Sequence, residues 1–170
     1  MSSIGNCYEF YLAKGYKHDI NWFPAYRDTI ENFLMKNPRN PLPDSLNWNI
    51  TNPEYGRNQW LVINKLSTNP NKNQINKLII HSNQIVKEVV GSATIKVEEN
   101  TVYVSASNII NYTLLLSPKQ FDFKKEIVIY TNGELSFKSF IQKDPKLLLN
   151  WFYKDLDREM LFGNEIKIRL

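Results

Sequence analysis

Cysteine is nearly missing from this chain. Cys7 stands alone in 170 residues, which excludes an internal disulfide framework and any multi-cysteine zinc site. Histidine is almost as scarce. With only His18 and His81, a metal centre would need carboxylates at ligand spacing, and these are not found, so neither a metal nor another cofactor is expected. The six glycines, Gly5, Gly15, Gly56, Gly91, Gly133 and Gly163, never bracket a serine as Gly-x-Ser-x-Gly, so the nucleophile elbow of a serine hydrolase is absent. No apolar run approaches the ~18 to 20 residues of a membrane span. Basic residues are scattered rather than grouped, so a net charge of +4 reads as a solvated surface and argues against nucleic acid as a partner. The first ten residues also lack the basic region and apolar block of a signal peptide, which leaves the compartment open.

What is present is the composition of a globular chain, 42% hydrophobic, 13% aromatic and 22% charged. Residues 8–12 are aromatic and apolar enough for a short strand, followed by a polar loop at 14–19. Tyr26, Ile30, Phe33 and Leu34 then recur at helical spacing, which predicts a helix over 24–36 with Pro24 in its first turn. Three prolines, Pro38, Pro41 and Pro43, stiffen the next stretch into an extended tether. The expected organisation is therefore a strand-loop-helix segment at 1–37, a tether at 38–44 and a β domain at 45–170.

Beyond the tether the hydrophobic period changes to two. Leu46, Trp48 and Ile50 alternate with polar residues, and 60–63 reads as the next strand. Residues 67–77, rich in Asn, Pro and Lys, read as a mobile loop, and 79–90 fits either a strand or a short helix. Residues 93–97 and 101–105 form an alternating hairpin around Glu98, Glu99 and Asn100, with a further strand at 113–116. A second hairpin joins 126–130 to 135–137 through Asn132 and Gly133, which readily take positive φ. Asp144 and Pro145 open a helix that should bury Leu148, Trp151, Phe152 and Leu156 against the sheets. Ile166, Ile168 and Leu170 make a final strand. About seven strands, joined largely by hairpins, predict a mainly β fold: an antiparallel, Ig-like β-sandwich with one packed helix.

Few residues suit chemistry, and most have a plainer use. Cys7 fits a small half-buried residue at a strand start, and His81 fits a strand edge or surface. Glu98 with Glu99, and Asp155, Asp157 and Glu159, could in principle supply a carboxylate pair, although acids at a hairpin tip or helix end are normally just solvated. Of Trp22, Trp48, Trp60 and Trp151, three fall on apolar faces and suit a core better than a sugar platform. Asn49-Ile50-Thr51 and Asn111-Tyr112-Thr113 match the N-glycosylation pattern. His18 differs from the rest in its place, a loop between a strand and an amphipathic helix.

With Gly15, His18, Arg39, Pro41 and Pro43 located, the first third of the chain resembles the end of α/β-hydrolase esterases and prolyl-oligopeptidase-like hydrolases. In these, a last strand leads into a Gly-x-x-His loop and then the final helix. Some continue, after an Arg-x-Pro-x-Pro-like tether, into an Ig-like sandwich, and Arg39-Asn40-Pro41-Leu42-Pro43, the Trp60 strand, Tyr130-Thr131-Asn132-Gly133 and Asp157-Arg158 look similar to that extension. Lys17 and Asp19, flanking His18, depart from the glycine and glutamate frequent there. The resemblance implies that His18 corresponds to the histidine of a triad whose serine and acid lie upstream, outside this chain. It implies a non-catalytic accessory domain whose partner is the hydrolase module or another subunit, with homodimerisation and an extracytoplasmic parent as further expectations. The alternative from the residues themselves is a glycan-binding or protein-interaction β-sandwich.

Overall fold

The computed structural model describes residues 20–68, 75–80 and 84–170, together with Phe10, Leu12, Lys14 and Gly15; over 75–80 and 84–88 it gives the backbone path. The chain divides into two compact units, Met1–Asn40 and Pro41–Leu170. In the first, the described regular element is helix α1, Phe23–Lys36, with proline in its opening turn. Tyr26, Ile30 and Phe33 are half-buried, whereas Leu34, expected on the same stripe, is exposed. Its place at i+1 from Phe33 carries it some 100° round the helix.

The second unit is mainly β. Its strands run β1 (Ser45–Ile50), β2 (Arg57–Asn58), β3 (Leu61–Leu66), β4 (Ile75–Ile80), β5 (Gln84–Val89), β6 (Gly91–Glu98), β7 (Thr101–Ser107), β8 (Ile109–Leu116), β9 (Ile127–Thr131), β10 (Glu134–Ser139) and β11 (Asn164–Arg169), with helix α2 (Pro145–Asp155) before the last. Eleven strands among the described residues exceed the seven expected. The surplus is partly β4 and β5, which pair only with each other. β4 begins at Ile75, inside the stretch read from its polar composition as loop, and residues 79–90 resolve as strand on either side of 81–83.

The other nine strands form two sheets, ordered β1-β6-β7-β9-β10 and β11-β8-β3-β2. One hydrophobic core draws on both, an arrangement consistent with a β-sandwich. In β6 the alternation is complete: Gly91, Ala93, Ile95 and Val97 are buried, and Thr94, Lys96 and Glu98 are exposed. Strand β8 breaks the alternation because it is covered on both faces, so Thr113 and Leu115 are buried as well as Tyr112, Leu114 and Leu116. Pairing is antiparallel except between β7 and β9, which run parallel with Tyr103 opposite Tyr130. The chain reaches that geometry by leaving the five-stranded sheet at Asn108, traversing β8 in the other sheet and returning as β9. Asn108 holds a left-handed φ of 55° and is the single residue between β7 and β8. Asparagine tolerates that conformation well, and here its Nδ2 donates to the Val90 carbonyl at 2.9 Å.

Three polar devices fix the core. Tyr112, fully buried on β8, shares a 2.6 Å hydrogen bond with Thr131 of β9, so a hydroxyl pair crosses between the sheets. Ser136 Oγ donates to the same Thr131 hydroxyl at 2.8 Å, from the bulge between Leu135 and Phe137 in β10. Burial pushes the Tyr112 phenol up to about 12, against the opposing pull of the Thr131 hydrogen bond. Trp60, also fully buried, lies in the turn just before β3 and donates its indole N–H to the Pro43 carbonyl at 3.1 Å.

Helix α2 starts as its sequence requires, with the Asp144 carboxylate accepting from the Lys146 and Leu147 backbone N–H groups. It is tied to both edge strands of the four-stranded sheet. Trp151 Nε1 donates to Glu165 on β11 at 3.2 Å, and Asp155 receives both terminal nitrogens of Arg57 on β2. The Arg57 guanidinium also lies 4.6 Å from the Trp151 ring centre, and Trp151 meets buried Phe162 edge-on. Leu156 is not part of the buried face. It ends the helix in a left-handed conformation and is exposed.

Candidate functional site

Three of the residues singled out for chemistry, Cys7, His18 and His81, lie outside the described residues. Of the five carboxylates, Glu99 is exposed in a left-handed turn and the other four have structural employment. Glu98 pairs with Lys96 at 2.5 Å, Asp155 with Arg57, and Glu159 with Lys119 at 2.6 Å, while Asp157 accepts from the Glu159 backbone N–H. No group of three or more His, Cys, Asp or Glu side chains gathers among the described residues. Trp60 is in the core, and Trp48 and Trp151 pack against it, which leaves none of these three as an open platform. Of the two glycosylation patterns, Asn49 is exposed, whereas Asn111 is followed by buried Tyr112 and by Thr113, whose hydroxyl donates to Asn64 Oδ1 at 2.7 Å.

A different set of residues meets on the outer face of the five-stranded sheet. Because β6, β7 and β9 are in register, two rows of side chains cross them. One row is tall: Lys96, Tyr103 and Tyr130, continued by Leu135 on β10. The neighbouring row is short and polar, with Thr94 opposite Ser105 and Asn132 at the end of β9. Tall beside short makes a groove, and all of these residues except Leu135 line a depression of about 820 Å³. Tyr103 and Tyr130 stack with ring centres 5.7 Å apart and planes 10° from parallel, so their edges and hydroxyls, rather than their ring faces, border the groove.

The end of the groove is built by Asn132. Its side-chain Oδ1 accepts from the Ala106 N–H at 2.8 Å and its Nδ2 donates to the Ala106 carbonyl at 3.0 Å. The carboxamide thus replaces a peptide unit beside β7 where β9 turns away, and it keeps an otherwise open strand edge paired. Asn132 and Gly133 carry φ of 52° and 87°, the positive values a tight hairpin turn demands. The charge in the groove is internally balanced. Glu98, hydrogen-bonded to the Lys96 ammonium and adding its own charge, holds Lys96 above the ordinary lysine value. The hydroxyls of Thr94, Tyr103, Ser105 and Tyr130 have no hydrogen-bond partner among the described residues.

Sequence reasoning missed this groove. Alternation marks Thr94, Lys96, Tyr103 and Ser105 as outward positions, but nothing local brings Tyr130 beside Tyr103, since that depends on the parallel β7–β9 pairing. Comparison with protein-family models, curated proteins and solved structures finds no match to this chain.

Proposed function

We propose that the chain is the C-terminal part of a serine hydrolase of the α/β-hydrolase esterase or prolyl-oligopeptidase-like kind, and that residues 45–170 are its non-catalytic, Ig-like accessory domain. In this reading His18 is the histidine of the triad, and the serine and the acid it serves belong to the upstream hydrolase module, which is the partner of the sandwich. The observation that carries the proposal is an asymmetry between the two units. Residues 41–170 hold a complete two-sheet core of their own, while the described regular structure of residues 1–40 is one amphipathic helix opened by a proline. A proline-opened helix downstream of Gly15 and His18 in the sequence also suits the element order of the resemblance.

An imidazole acts as general base only when a nucleophile lies within hydrogen-bond reach. In this reading that nucleophile is the serine of the upstream module, not a residue of this chain. The purified chain is therefore expected to leave short acyl esters of p-nitrophenol unhydrolysed above the rate of its own His18→Ala variant. Robust turnover abolished by His18→Ala would refute the accessory reading, because the chain would then hold a complete active site.

A further inference from the structure

We infer that the groove on the outer face of the five-stranded sheet is a binding site for a neutral, extended oligosaccharide, with about three sugar residues laid across β6, β7 and β9. This goes beyond the accessory role and does not depend on it. Three observations carry it. First, each of the three strands offers one short polar group and one tall group in register, Thr94 with Lys96, Ser105 with Tyr103, and Asn132 next to Tyr130. Neighbouring strands are about 4.8 Å apart, close to the length of one pyranose residue in an extended chain, so successive sugars step from strand to strand.

Second, four hydroxyls bordering the groove, from Thr94, Tyr103, Ser105 and Tyr130, are unused within the described structure. A hydroxyl both donates and accepts, so a row of them matches a ligand whose own groups are hydroxyls. The stacked tyrosines give the chain apolar ring edges to lie against. Third, the charge argument selects a neutral ligand. The lysine bordering the groove, Lys96, is already compensated by Glu98 at 2.5 Å, so the groove offers no uncompensated charge to favour an acidic sugar.

The test is calorimetric titration of the full chain with cellotriose, xylotriose and trigalacturonate, for the wild type and for a Thr94→Val/Ser105→Ala variant. Both substituted side chains are outward-facing, so the variant should unfold with the wild-type midpoint, and a Tyr130→Ala variant offers a second, independent removal of the wall. Binding of a neutral trisaccharide at sub-millimolar to millimolar Kd, weakened at least tenfold in the double variant and in Tyr130→Ala, supports the inference. Three results overturn it: no heat with either neutral trisaccharide, affinity unchanged in both variants, or trigalacturonate binding more tightly than the neutral sugars.

Discussion

Removing the carboxylate of Asp155 should loosen α2 from the four-stranded sheet, and the size of the effect follows from how the Arg57–Asp155 pair is buried. Arg57 is 29% and Asp155 10% exposed at the side chain, and the contact is two-pronged. An exposed ion pair contributes about 0–1 kcal/mol. Breaking a fully buried one costs about 3–5 kcal/mol, because the surviving charge is stranded. This pair lies between those limits, which places Asp155→Ala at a loss of about 2–3 kcal/mol. Arg57→Ala loses in addition the contact with the Trp151 ring at 4.6 Å, and about 0.5–2 kcal/mol more should go with it. The double variant should cost less than the sum of the two single changes, leaving a coupling of about 1.5–2.5 kcal/mol. Urea unfolding of the four proteins measures all three quantities, provided the slope of free energy against denaturant is unchanged. A coupling below about 0.5 kcal/mol would refute the reasoning, since the pair would then behave as a solvated surface contact.

Two further perturbations test the core. At neutral pH Tyr112→Phe should cost about 1 kcal/mol, the net worth of one hydrogen bond, since Thr131 keeps Ser136 as a partner. The raised phenol pKa adds a pH dependence: the neutral Tyr112 stabilises the fold fully below pH 10 and that contribution is lost as pH rises through about 12. At pH 11 the wild type should have lost about 1.4 kcal/mol that the phenylalanine variant keeps, so their urea midpoints should converge or cross; a gap as wide as at pH 8 would exclude this. Gly56→Ala should destabilise by at least about 2 kcal/mol although Gly56 has an ordinary φ of −68°. A Cβ there would sit 2.1 Å from the Ile63 carbonyl oxygen and 2.8 Å from that of Pro53, both backbone atoms that cannot swing aside. A thermal midpoint within about 2 °C of the wild type would rule the clash out.

The mainly β class, the two-sheet arrangement and the two helices were legible because they rest on local chemistry. Period-two alternation in β6, β7 and β11, the Asn132-Gly133 turn, and Asp144-Pro145 at the start of α2 each carry their own signal. Legibility failed where burial or pairing is set at a distance. β8 is longer than the 113–116 segment read from sequence, since a strand covered on both faces shows no alternation from which to extend it. Residues 75–77 hid in a polar stretch, because β4 pairs with β5 alone and not with either main sheet. Leu156 has helical spacing yet caps α2, a role that spacing cannot distinguish. The groove was invisible for the same reason as the parallel register: its tall row joins residues 96, 103 and 130, which only the return of β9 brings together.

That return has a kinetic implication. Strand β9 lies against β7 although the chain between them runs as β8 in the opposite sheet, so the five-stranded sheet cannot be completed by hairpins alone. The Tyr112–Thr131 bridge joins those same two strands. Assembly must therefore close a long-range loop, which should slow folding relative to a simple series of hairpins. It also denies the chain a stable half-built state, and residues 41–170 should gain and lose their structure as one cooperative unit.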